Sequence, residues 1–257
     1  METENRTQQK TILVTGASSA VGKALIKKIA KEYDTVYAHY NRGEQAVSAL
    51  RDALADEGAK LVPLQADFAS EEDTRAMIAR IREEEAAPGH VVHLSAMRAS
   101  WKKAAKFSWE DYQNEVDTSL RPAVLLAQAF APEMAKQKDG RFLFMLTAFT
   151  CGADPKYMSP YITAKFALLG LMKNLAAEYA QKKVSFRAVS PEMIDTPFVE
   201  QVPEPARRMA AEASPSGKLL SPDAVADAFA SLLSDDATEH NGGNLYLDAA
   251  GNTRWIQ

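Results

Sequence analysis

The chain has 257 residues, 46% of them hydrophobic, and a formal net charge of −4. That suffices for one large α/β domain, and mixed charge of this kind argues against non-specific nucleic-acid binding and against a polybasic membrane patch. Its single cysteine, Cys151, excludes an internal disulfide and a multi-cysteine metal site. No metal is expected, and a reducing, cytoplasmic compartment is the natural home. No apolar run reaches the roughly 18 residues of a membrane-spanning helix.

Residues 1–10 (METENRTQQK) are polar and read as a disordered tail, leaving 11–257 as one domain without linker or repeat. From there, short apolar β-branched runs alternate with amphipathic stretches. Thr11 to Thr15 predicts a strand, followed by a helix from Ala20 to Lys31. Thr35 to Tyr40 and Leu61 to Ala66 are strands around a helix at Gln45 to Ala55. The next helix has a cap at Ser70 and acids in its first turn. His90 to Ser95 is a strand, and one long helix is expected from Trp109 to Lys136. Phe142 to Leu146 is apolar throughout, as a strand buried on both faces should be. Ser159-Pro160 starts a helix that runs to Lys182. Val184 to Val189 is a strand, Pro203 to Glu212 a helical insertion, Pro222 to Leu233 a helix and Asn244 to Leu247 a last strand. Strict alternation of this kind implies a Rossmann-type, doubly wound parallel sheet of about seven strands with helices on both faces. Such sheets bind ligands at the carboxyl ends of their strands.

Two segments carry chemistry. Thr15-Gly16-Ala17-Ser18-Ser19-Ala20-Val21-Gly22 joins the first strand to the first helix. Glycines there let backbone approach a pyrophosphate, and free N–H groups at the helix start bind anions. Tyr161 and Lys165 lie one turn apart on a single helix face. An ammonium beside a phenol is expected to lower its pKa from about 10 and prepare it for proton transfer.

With both segments in this order, the chain resembles the short-chain dehydrogenase/reductase family from Thr11 to Gly251. Its phosphate loop reads Thr-Gly-x-x-x-Gly-x-Gly and its catalytic helix Tyr-x-x-x-Lys. The whole-chain pattern is most similar to the branch that reduces 3-oxoacyl groups on acyl carrier protein. The resemblance implies a nicotinamide dinucleotide held by Thr15, Gly16, Ser18, Ser19, Ala20, Val21 and Gly22. Asp67, with Phe68 after it, would meet the adenine; Ser95 and Ala96 end the fourth strand beside the cofactor. Ser190-Pro191-Glu192-Met193-Ile194-Asp195-Thr196-Pro197 is similar to the family's Pro-Gly-x-Ile-x-Thr-Pro, so that Pro191, Ile194 and Thr196 would hold the nicotinamide. Lys165 would hold the ribose. The second strand ends His39-Tyr40-Asn41-Arg42 without the acid that binds a ribose 2′-OH, so Asn41, Arg42 and Ser18 favour a 2′-phosphate and NADP(H).

Four positions depart from the family. The middle loop glycine is Ala20. Asn-Asn-Ala-Gly is Leu94-Ser95-Ala96-Met97. The Asn of the long helix, which holds a water of the proton relay, is Ser119. The Gly of Pro-Gly is Glu192. The catalytic Ser also shifts: the usual position, 13 residues before Tyr161, is Ala148, an alignment on Gly140-Arg141 gives Thr147, and Thr150 is a further hydroxyl within reach of the loop, the third candidate with Ser119 and Thr147. The expected reaction is reduction of a small-molecule or carrier-bound ketone, with Tyr161, Lys165, Thr147 and Ser119 as catalytic residues. Alternatives are an impaired nucleotide-binding partner subunit and a non-redox lyase or dehydratase. Lys136 and Lys138 end one helix and Lys182 and Lys183 another; if these ends meet, they suit an acidic carrier protein. A substrate lid is expected at 197–216. A homodimer or homotetramer is expected through Val124–Met134 and Phe166–Leu175, or a hetero-oligomer if the chain is a partner subunit.

Overall fold

In the computed structural model, residues 10–84, 87–152, 155–235 and 239–256 are described. Segment 1–9, most of the expected tail, lies outside them. Lys10, counted with that tail, is anchored: its N–H donates to Asp34 Oδ2 at 2.7 Å and its carbonyl accepts from Asp34 N.

Strand β1 (Thr11–Thr15) is buried along its whole length, with side chains alternating between two apolar layers. Ile12 and Val14 face the helices α1 (Ala20–Ile29) and α8 (Pro222–Ser234), whereas Leu13 faces the opposite layer. That layer receives α3 (Glu71–Glu83), α5 (Arg121–Gln137) and α6 (Ser159–Tyr179), through Met77, Phe130 and Met172. The remaining helices are α2 (Glu44–Ala53), α4 (Trp109–Glu115) and α7 (Glu204–Glu212). The other strands are β2 (Thr35–Tyr40), β3 (Lys60–Gln65), β4 (His90–His93), β5 (Gly140–Met145), β6 (Val184–Pro191), β7 (Asn244–Leu247) and β8 (Thr253–Ile256).

The sheet order is β3-β2-β1-β4-β5-β6-β7-β8, parallel except for the last pair. The order reverses beside β1, which opens a crevice at the carboxyl ends of β1 and β4. Pro63 sits in β3, an edge strand, where a missing N–H costs no ladder bond to a further neighbour.

Two expectations need correction. The sheet has eight strands rather than seven. Asp248 to Gly251 forms a turn, with Gly251 at φ +86°, that folds Thr253–Ile256 back antiparallel on β7. The long helix is not continuous either: Val116–Leu120 forms a π turn between α4 and α5. Pro122 lies in the first turn of α5 and has no N–H for the preceding turn, and the Thr118 hydroxyl donates back to the Asn114 carbonyl at 2.7 Å. Both features loosen the regular ladder at this point.

Candidate active site

The phosphate loop is shaped by close packing. Gly16 has φ +68°, and a Cβ on Gly22 would collide with the Gly16 carbonyl, so a side chain is excluded there. Ser19 caps α1, its hydroxyl accepting from Gly22 N at 3.0 Å. Ala20 opens the helix and is not among the residues with positive φ, so its methyl is tolerated. Val21 is buried beneath the loop. A Cβ on Gly43 would strike Ser18, which puts the Asn41–Gly43 turn directly against the loop. Asn41 and Arg42 are exposed, and Arg42 pairs with no carboxylate among the described residues.

Two buried histidines support this loop from below. Gly16 N–H donates to His39 Nδ1 at 3.2 Å, which leaves His39 Nε2–H for the Ala66 carbonyl at 3.1 Å. Thr15 Oγ1 accepts from Leu94 N at 3.0 Å and from Ser95 N at 3.3 Å. Its proton therefore points to His93 Nδ1, 3.1 Å away, and His93 Nε2–H donates to the Ser119 carbonyl at 2.9 Å. Phe68 stacks on His39 with ring centroids 3.8 Å apart and lies 6.2 Å from His93. Burial lowers His39 to about 4 and His93 to about 3, in accord with neutral rings.

Asp67 is half-buried after β3, its Oδ1 accepting from Ala69 N at 3.0 Å. Ser95 and Ala96 follow β4 and line the crevice; the Ser95 hydroxyl lies beside Gly16, is buried and has no hydrogen-bond partner. Pro191 closes β6, and an isolated parallel bridge between Ile194 and Leu220 fixes the segment that carries Thr196. Glu192 replaces a glycine without blocking this segment. Its carboxylate accepts from the Tyr246 hydroxyl and from Ala249 N at the end of β7.

The catalytic corner lies two strands away, after β5. Lys165 is 2% exposed and donates from Nζ to the Met145 carbonyl at 2.7 Å. Its Nζ stands 5.5 Å from the Tyr161 ring centroid. Burial pushes Tyr161 well above the usual phenol range, Thr147 pulls it down by a side-chain hydrogen bond, and the Glu115 charge raises it further. The expectation that Lys165 lowers the phenol is therefore corrected. Burial instead depresses Lys165 itself, to about 8, and its hydrogen bond goes to backbone. Among the three candidate hydroxyls, Thr147 is the one that reaches Tyr161. Thr150 donates to the Thr147 carbonyl at 2.7 Å and accepts from Asn244 at 3.2 Å, so it is committed to structure. Ala148 is buried and has no donor. Ser119 is buried in the π turn and tied through its carbonyl to His93, behind the pair. Phe198 of the 197–216 segment packs against Tyr161, with ring centroids 5.8 Å apart.

Glu115, His39 and His93 were not anticipated as site groups. Glu115 was detectable in principle, because it lies on the helix stripe that continues through Ser119, Pro122 and Leu126, all buried. The helix ends that carry these lysines precede the paired starts of β5 and β6, where Gly140 lies opposite Val184. That is the amino edge of the sheet, about 17 Å from the Met145 end at roughly 3.3 Å per residue, so this patch does not border the site.

The glycine cradle and the orphaned Ser95 hydroxyl fit a dinucleotide, and no group of metal-ligating side chains occurs among the described residues. No helix among them is long and apolar enough to cross a membrane.

A family model described as Enoyl-(Acyl carrier protein) reductase matches residues 16–251. Oxidoreductase UcpA of Salmonella typhimurium is 28% identical over 93% of this chain and 93% of its own length. The 3-oxoacyl-[acyl-carrier-protein] reductase FabG of Thermotoga maritima is 25% identical over 95% of this chain and 98% of its own. The crystal structure of levodione reductase superposes with a TM-score of 0.85 at 23% identity, covering 95% of this chain and 98% of that one, which shows the shared fold. The chain belongs to the short-chain dehydrogenase/reductase family.

Proposed function

We propose that this protein is an NADP(H)-dependent reductase that converts a ketone, with a 3-oxoacyl thioester on a carrier as preferred substrate class, to an alcohol. The observation that carries the reading is the convergence of Tyr161, Thr147 and Lys165 on one edge of the crevice, facing a loop shaped for pyrophosphate. The dinucleotide, when bound, supplies the hydride. Tyr161, kept protonated by its burial, donates its proton as charge develops on the substrate oxygen. The Thr147 hydroxyl donates a hydrogen bond to the same oxygen. Lys165 holds the ribose, Asp67 the adenine, and Ile194 and Thr196 the nicotinamide, with Ser119 supporting the corner through its backbone.

Arg42 and Asn41, exposed beside Ser18 with no acid at that strand end, support NADP(H) over NAD(H). The loop after β4 carries Lys103 and Lys106, and Lys156 precedes α6; all three are exposed at the carboxyl edge, which supports an anionic, carrier-borne substrate. The 197–216 segment acts as the lid through Phe198. Trp109 on α4 and Phe166 on α6 are 77% and 48% exposed, which supports a homo-oligomer through this face, and the lone Cys151 suits the cytoplasm. Light scattering should return a dimer or tetramer; a clean monomer removes that part.

The test is consumption of NADPH and NADH with a panel of ketones that includes 3-oxoacyl thioesters. Equal use of both nucleotides removes the NADP(H) assignment. Tight NADPH binding without consumption favours the partner-subunit reading, and product formation without net redox favours a lyase.

A further inference from the structure

Glu192 stands where the family carries the Gly of its Pro-Gly pair, and in this chain the difference builds structure. The residue directly follows β6 and opens the segment that carries Ile194 and Thr196. Its backbone N–H donates to the Leu247 carbonyl at the end of β7, at 2.9 Å. Its carboxylate adds two bonds that a glycine cannot make. Oε1 accepts from the Tyr246 hydroxyl, and Oε2 accepts from Ala249 N at 2.9 Å. The Arg254 guanidinium lies over the Tyr246 ring, 4.7 Å from its centroid, and helps to hold that ring in place. Ala249 has a second partner. Its carbonyl accepts from Ser214 Oγ at 3.2 Å, and Ser214, 6% exposed, follows α7 near the end of the 197–216 segment. With its proton given to Ala249, Ser214 Oγ accepts from Ser216 Oγ at 2.9 Å and from Ser216 N at 3.3 Å, so the side chain is fixed. The other end of the same segment packs Phe198 on Tyr161.

Glu192, Tyr246, Ala249 and Ser214 line one cavity of about 500 Å³. A cavity, and not a packed apolar seam, thus separates the base of the lid from β6 and β7, so the polar bonds set the spacing between them. We propose that Glu192 is a positioning residue: its carboxylate clasps the turn after β7 and thereby couples the seating of the Ile194–Thr196 segment to the lid. The inference rests on the reductase reading above and deepens it, by naming the part that joins the cofactor segment to the cover over the substrate. Donors to a carboxylate make short, strong bonds, and two of them on one side chain fix direction as well as distance. A shift of Ile194 and Thr196 therefore carries Ala249 with it, and the Ser214 bond passes that shift to the lid.

The test is hydrogen exchange of segment 197–216 in the whole protein, read by mass spectrometry with and without NADPH. In wild-type protein NADPH should slow exchange there. Glu192→Gly, which restores the family's residue and removes both carboxylate bonds, should speed exchange of the nucleotide-free segment about tenfold and remove most of the NADPH effect. Ser214→Ala should do the same, and the double variant should show no further increase, as for two links of one chain. In ketone reduction, Glu192→Gly should raise KM for the ketone about tenfold with kcat within about twofold of wild type, whereas general loosening of the fold lowers both kcat and stability. Should urea unfolding show that Glu192→Gly does not fold, Tyr246→Phe carries the same reading, because it removes one of the two bonds from the far side. A lid that exchanges as in wild type in the Glu192 variant, or effects of Glu192→Gly and Ser214→Ala that add in full, overturns the clasp. Wild-type protein that shows the coupled exchange and reduces no ketone leaves the clasp standing and overturns the reductase reading.

Discussion

The phosphate loop after β1 and the catalytic corner after β5 share one edge of the sheet, yet they hold their polar groups differently. The loop is set by backbone: Gly16 at positive φ, Gly22 with no room for a Cβ, and two neutral histidines that fix Gly16, Thr15 and Ser119. Its charged member, Arg42, stands in solvent. The corner is set by side chains taken out of water, with Tyr161 pushed up, Lys165 lowered to about 8 and Glu115 raised to about 7. One region is preorganised to receive charge from outside; the other keeps Tyr161 protonated and brings Lys165 and Glu115 toward neutrality by desolvation. Changes in the corner should therefore act on rate, and changes in the loop on affinity or stability.

The largest effect tests that division most directly. Tyr161→Phe should lower kcat by about 10²–10⁴-fold while NADPH binding by fluorescence titration stays near wild type. Comparable losses in binding would erase the contrast. Next, Thr147→Val should cost about 10²–10³-fold in kcat, whereas Thr150→Val should act mainly on the urea midpoint, because its hydroxyl serves Thr147 and Asn244. A rate loss confined to Thr150→Val would move the donor to the other hydroxyl. Third, Arg42→Ala should weaken NADPH about 10- to 100-fold and leave NADH nearly unchanged, as removal of a charge-assisted phosphate contact does.

The smallest effect concerns the support beneath the loop. Folded His39 and His93 are depressed to about 4 and 3 by burial, so the unfolded chain takes up protons first as pH falls below about 6.5. Their contribution is present above the unfolded value and lost as pH drops toward the folded ones. Stability should fall by roughly 2 kcal/mol per histidine between pH 6.5 and 5. Urea unfolding across that range checks this, and His39→Gln should reduce the proton uptake by about one.

Much of the loop was legible in advance, because its requirements are local. Glycine spacing, a helix cap at Ser19 and the absence of an acid after Tyr40 are properties of adjacent residues. The corner was only half legible. Tyr161 and Lys165 share a helix face by spacing alone, but the choice among Ala148, Thr147 and Thr150 depends on how the turn after β5 meets Asn244 and Tyr161. The Tyr161 shift runs opposite to the direction that proximity to a lysine implies, because desolvation dominates it and is a property of the whole fold.

From its residues alone, this chain determines an alternating α/β domain, a phosphate-binding first turn and a Tyr–Lys pair behind it, since each follows from periodicity or from neighbours in the chain. Only the tertiary structure decides what those groups do to one another. It breaks the long helix at Val116–Leu120, adds β8, assigns Thr147 to Tyr161 and buries Glu115 and Lys165. Burial and long-range contact set those outcomes, because the free energy of a charge depends on how much water the whole fold has removed around it.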